Sequence, residues 1–133
     1  MRQGNEIARG NASHQWTDFN FTMAAGVVND RELAEVWVLG GADFQSLDSV
    51  DQQRMIFFEW RALELWHHTY NQRRRGILSD ENWSKTEAIF RGPIGERQSL
   101  HEAWRMFRPT YDRAFQDLMD PHLGRPDAVG QEA

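Results

Sequence analysis

The chain has 133 residues, no cysteine, a net charge of −5 and a pI near 5.5. Those figures exclude disulfides, thiolate metal sites and a cysteine nucleophile. They also oppose nucleic-acid binding, which needs a basic surface to neutralise phosphates. Six Trp and eight Phe exclude a disordered chain, which lacks aromatics to bury.

The hydrophobic pattern is helical almost throughout, and no stretch alternates with the period of two that a strand needs. The sequence therefore predicts an all-α fold, a single-domain bundle of five or six helices over residues 1–120. A flexible, polar tail is expected over 121–133. No run of ~18 apolar residues offers a membrane span. The opening Met1-Arg2-Gln3-Gly4-Asn5 lacks the apolar core of a signal peptide, so no export is expected and the location expected is cytoplasmic.

The first helix is predicted from Asn5 to Val28, with Ile7, Trp16, Phe19, Met23 and Val27 on one face. Asn29-Asp30 reads as a stop followed by an N-cap. A short second helix carries Leu33, Val36, Trp37 and Leu39 and is expected to end at Gly40-Gly41, with Asp43 to Ser49 a loop. The third and longest helix should run from Ser49 to Gly76, spanning about 40 Å. It has two adjacent apolar stripes, Met55-Phe58-Ala62-Leu65-Thr69 and Ile56-Trp60-Leu63-His67-Tyr70, so it is expected at the centre of the bundle.

The fourth helix should begin at Ser79 or Asp80 and end at Gly92-Pro93, with Trp83, Thr86, Ile89 and Phe90 inward. A fifth is predicted from Gly95 to Phe107, burying Leu100, Ala103 and Trp104. Pro109 suits the first position of a sixth, reaching Met119 and ended by Pro121.

Candidate chemistry is sparse. Glu64-Leu65-Trp66-His67 sets a carboxylate and an imidazole on one helical face, the spacing used in pairs by di-iron carboxylate bundles. Only one copy is present, so Glu64 and His67, with Glu59 or His68 near them, form a weak candidate metal site. No nucleophile elbow, phosphate loop or dinucleotide fingerprint occurs, and no cofactor is expected. Arg73, Arg74 and Arg75 form the one dense basic patch. They read as a phosphate or anionic-lipid contact, or as a solvated helix end favoured by the macrodipole. Trp16 and Phe19 are candidate interface residues, because the first helix is the least well anchored by its pattern.

Several short motifs recur in order. They are Arg2-Gln3; Asp30-Arg31-Glu32-Leu33-Ala34-Glu35-Val36-Trp37; Gly41 with Leu47; Trp66 with Tyr70 and Gln72; Gly76-Ile77-Leu78 with Trp83; and Trp104 with Phe107-Arg108-Pro109. The order, over about residues 2 to 119, resembles a widespread group of small helical bacterial proteins of unknown function. Members of that group commonly begin with a transmembrane helix followed by a segment like Arg2-Gln3-x-Asn5-x-x-x-Arg9. The resemblance implies that the first helix continues from a membrane anchor absent from this chain. Arg2 and Arg9 would then place the domain on the cytoplasmic face. Similar proteins usually have an acidic residue at the position of His67, so the Glu64/His67 pair is not a shared site.

These readings lead to a non-enzymatic protein-interaction or sensory domain with a protein partner or a second copy of itself. A metal-binding bundle or enzyme using Glu64 and His67 is one alternative. A small-ligand sensor, with an apolar pocket in the Trp-rich core, is the other.

Overall fold

The computed structural model describes residues 2–124. They form six α-helices: α1 (Arg2–Val28), α2 (Arg31–Ala42), α3 (Ser49–Arg74), α4 (Asp80–Arg91), α5 (Gln98–Phe107) and α6 (Arg113–Leu123). Three short 3-10 turns, Phe44–Ser46, Pro93–Glu96 and Arg108–Thr110, join them. No strand is present among the described residues.

Short oxygen-bearing side chains open three of the helices by accepting backbone N–H groups that have no partner inside the helix. Asp30 accepts from Leu33 N at 3.2 Å, Asp48 from Asp51 N at 2.8 Å and Ser79 from Asn82 N at 3.1 Å. At the far end of α3, Gly76 takes φ +75°. Its N–H donates to Arg73 O and that of Ile77 to Gln72 O, which closes the last turn and frees the chain to reverse into α4.

The expected central helix is central. Met55, Ile56, Ala62, Leu63, Leu65 and Trp66 of α3 are buried, and α3 packs chiefly on α5 through Leu100, Ala103 and Trp104. Phe115, Met119 and Leu123 of α6 complete that core. Asp120 pins α6 in place, accepting Arg108 Nε and Nη2 at 2.8 Å each and the Trp104 indole N–H at 3.0 Å.

Helix α1 lies against α2 and α3 and is held differently. Ala12 is its one buried residue among those described. Polar contacts do much of the docking. Trp16 Nε1 donates to Thr86 Oγ1 at 2.8 Å, Asn82 Nδ2 to Ser13 Oγ at 3.2 Å and Gln72 Nε2 to Gln15 Oε1 at 3.3 Å.

Four boundaries depart from the sequence reading. Gly40-Gly41 does not end α2 but lies inside it. The fifth helix starts at Gln98 rather than Gly95, because Pro93–Glu96 coil into a 3-10 turn. There a Cβ on Gly95 would strike the Phe90 carbonyl oxygen. Pro109 sits in the turn Arg108–Thr110, and α6 begins at Arg113. Pro121 does not stop α6, which continues to Leu123. The carbonyl that Pro121 leaves unserved belongs to Asp117, on the exposed side where water can reach it. Leu123 is only 2% exposed, so residues 121–124 belong to the folded domain rather than to a tail. The rest of the expected tail, 125–133, lies outside the described residues.

Candidate functional site

Glu59 stands one turn from Met55, Ile56, Ala62 and Leu63 on α3, so the helical period carries its carboxylate into the core with them. A buried charge of this kind is tolerated only when paired. Its partner is Arg97, the residue that precedes α5, held there by the 3-10 turn before it. Arg97 Nε and Nη2 donate to Glu59 Oε1 at 3.0 and 2.9 Å, and Ser99 Oγ donates to the same oxygen at 2.8 Å. Arg97 Nη2 also donates to the Trp37 carbonyl at 2.7 Å. The pair therefore ties α2, α3 and α5 at one point.

Of the double glycine of α2, Gly41 makes room for Arg97 and Gly40 for Met55 and Leu47. Any Cβ on Gly41 would collide with the Arg97 guanidinium, and one on Gly40 would press on Met55 Cγ at 3.1 Å and Leu47 Cδ1 at 3.2 Å. Glycine here answers close approach, not helix termination.

Beside the ion pair lies a cavity of about 290 Å³. Helix α1 supplies its outer wall through Met23, Ala24 and Val27. Trp37 of α2 and Phe58, Leu65 and Trp66 of α3 supply the inner walls, and Glu59 and Arg97 form its polar corner. A second recess of about 380 Å³ opens on the other side of α1, between Phe19, Thr22 and Met23 and the α3 residues Trp60, Glu64 and His68.

Of the residues singled out in the sequence as candidate site residues, Glu59 lines the first cavity and the others fall outside it. Glu64 accepts the Tyr111 hydroxyl at 2.7 Å. Burial, followed by the hydrogen bond to Glu64 and its charge, pushes Tyr111 well above the ordinary tyrosine range. His67 packs its ring on Tyr111 and Phe115, and its Nε2 lies 3.3 Å from Asp112 Oδ1. Glu64 and His67 thus both meet Tyr111, the first through its hydroxyl and the second through its ring. Glu59 is committed to Arg97, and His68 meets the Phe19 ring edge-on at 6.0 Å. Among the described residues, no group of three or more His, Asp or Glu is placed to hold a metal ion.

Arg73 pairs with Asp80. Arg74 pairs with Asp112 Oδ2 at 3.3 Å and lies over the Tyr70 ring, whereas Arg75 is exposed. Two of the three arginines are thus engaged within the chain. Trp16 turns inward to Thr86, while Phe19 stays 45% exposed.

Sequence reading missed the Glu59–Arg97 pair. The available signal was Glu59 itself, a charge interrupting an apolar stripe. Nothing local to Arg97, between Gly95 and Leu100, named its partner.

No described helix is long and apolar enough to cross a membrane. No protein-family model, curated protein or solved structure matches the chain.

Proposed function

We propose that this chain is a non-enzymatic, ligand-responsive helical domain that takes a small apolar molecule into the cavity between α1, α2 and α3. One observation carries the reading: a concave, largely apolar space of about 290 Å³, lined by two tryptophans and closed at one corner by a single charged pair. Small-molecule sites have this character, apolar walls with few fixed polar groups. The likeness to anchored bacterial proteins supports a setting at the cytoplasmic face of a membrane, with α1 nearest the anchor. A ligand touching α1 would then be felt by the element that continues toward the membrane.

The test is a screen of apolar fragments, read from the indole N–H signals of Trp37 and Trp66. The expected result is a saturable shift of both signals that is lost in a Val27→Trp variant, whose new ring fills the cavity from α1. Fragments that leave both signals unmoved would overturn the reading.

A second reading, a module that meets a protein partner or a second copy through α1, is favoured by Phe21 and Val28, which are 71% and 78% exposed on that helix. Sedimentation velocity over a wide concentration range tests the homo-oligomer, comparing the unaltered chain with a Phe21→Ser variant. A concentration-dependent dimer that the substitution dissolves would support it, and a monomer throughout would exclude self-association.

A further inference from the structure

Resting on the reading of the cavity as a ligand site, we infer the chemistry of its occupant: a neutral apolar molecule with one O–H or N–H group, donated to Glu59 Oε2. Glu59 is 3% exposed and lines the cavity. All three of its hydrogen bonds, from Arg97 Nε, Arg97 Nη2 and Ser99 Oγ, fall on Oε1. Oε2 receives none among the described residues. A ligand that fills the space against this oxygen without supplying a donor leaves it unsatisfied, which is costly, so the occupant must bring one. Nor is this oxygen sealed in. Among the described residues, Trp60 Nε1 is the one buried side-chain polar atom enclosed without a partner. Oε2 therefore keeps contact with open space, and the open space against Glu59 is the cavity.

Charge selects the ligand further. Arg97 already neutralises Glu59, so an ammonium group on the ligand would meet the guanidinium across the same carboxylate. An anionic ligand would face Oε2 directly. The guanidinium offers no compensating donor to it: Nε and Nη2 serve Glu59, Ser99 and Trp37, and Nη1 is turned toward Gly41, which is not a cavity wall. Asn20, the other polar wall residue, gives one of its two amide N–H groups to the Trp16 carbonyl at 2.7 Å. A phenol, an alcohol or an indole-type N–H on an apolar body satisfies the site. An ether, a carboxylate or an amine of the same shape does not.

The experiment titrates the full chain with three matched probes, 4-butylphenol, 4-butylanisole and 4-butylbenzoate, following the Trp37 and Trp66 indole signals and the Glu59 side-chain carboxyl carbon. The expected result is that the phenol binds at least about tenfold more tightly than either analogue, and that it alone shifts the Glu59 carbon. In Glu59→Gln an amide N–H replaces Oε2, and the preference for phenol over anisole should fall to near parity. Should that variant fail to fold, the Glu59 carbon signal in the unaltered protein still decides. Equal binding of phenol and anisole would overturn the donor requirement while leaving the cavity a ligand site. Selective phenol binding with an unmoved Glu59 carbon, or selectivity retained in Glu59→Gln, would also overturn it, because the donor would then go elsewhere. If none of the probes moves Trp37 or Trp66, the inference falls together with the ligand-site reading.

Discussion

The Arg97 guanidinium lies over the face of the Trp37 indole, 3.8 Å from its centroid, while its Nη2 donates to the carbonyl of that same residue. One side chain so grips both the ring and the backbone of α2 and neutralises a carboxylate on α3. Lysine has no planar fork that can stack on a ring while donating from its edge. Arg97→Met strands Glu59 in the core and should lower stability by about 3–5 kcal/mol. The double substitution Glu59→Met/Arg97→Met removes both charges and should be less damaging than Arg97→Met alone. Urea unfolding of the two singles and the double supplies the cycle, and a double that is simply additive would show the charges to be uncoupled.

Two glycines should respond to alanine with opposite signs. Gly95→Ala forces a Cβ into the Phe90 carbonyl, a backbone atom that cannot swing aside, and is expected to destabilise by about 1–3 kcal/mol. Gly10 lies in α1 with nothing within 4 Å of its would-be Cβ. Gly10→Ala should therefore gain up to about 1 kcal/mol in helix propensity. Paired denaturation curves check both, and a neutral Gly95→Ala would mean that the turn Pro93–Glu96 can re-form elsewhere.

Tyr111→Phe keeps the ring that stacks on Trp104 but removes the donor to Glu64. The expected loss is about 1–2 kcal/mol, since the acceptor is a charged carboxylate near solvent. In the unaltered protein, the tyrosinate absorbance of Tyr111 should emerge at a pH well above that of an unburied tyrosine, and Glu64→Gln should bring its onset lower.

His122 stands in the last turn of α6, where the helix dipole favours an imidazolium, yet its pKa is held below 6.5. Burial against the Phe90 ring is the main cause, and the charge of Arg91 adds to it, with Glu87 opposing. A base whose folded pKa is depressed contributes stability above its unfolded value, and that stability is lost as pH falls through the folded one. Stability should therefore decline on the acid side of about pH 6.5. His122→Gln should flatten that limb while leaving neutral pH little changed. An NMR titration that places the His122 midpoint above 6.5 would contradict this.

Trp16→Phe deletes the bond to Thr86 while keeping an aromatic ring. About 1 kcal/mol should be lost, and the loss should register in α1 first. Amide hydrogen exchange is the discriminating measurement: protection should drop along α1 and persist in α3 and α5.

Most of the architecture was legible because it is written in local rules. Asp30 and Ser79 announce their helices, Gly76 announces an end, and the stripes through Met55 and Leu63 announce a central helix. The misreadings share one physical origin. Gly40-Gly41 looks like a stop when viewed along the chain, but the demand for glycine comes from Arg97, Met55 and Leu47, which the fold brings alongside. Pro121 looks like a terminator, but its cost depends on whether Asp117 faces water, which is a tertiary fact. The candidate site was hidden for the same reason. Glu59 betrays an anomaly locally, whereas its meaning lies in a partner that only folding delivers, and the cavity is a property of three helices at once. Trp16 was a candidate for a partner interface, and a hydroxyl on α4 turns it inward.

The cavity is bounded by two kinds of surface with unequal stakes in the fold. Its polar corner, Glu59 and Arg97, is shared with the buried junction of α2, α3 and α5, so substitutions there disturb the whole bundle. Its outer wall, Met23, Ala24 and Val27, sits on a helix that contributes a single buried residue among those described. Changes in that wall can reshape the space at small energetic risk. A descendant of this chain is free to vary the contour of the cavity while keeping the buried carboxylate at its corner.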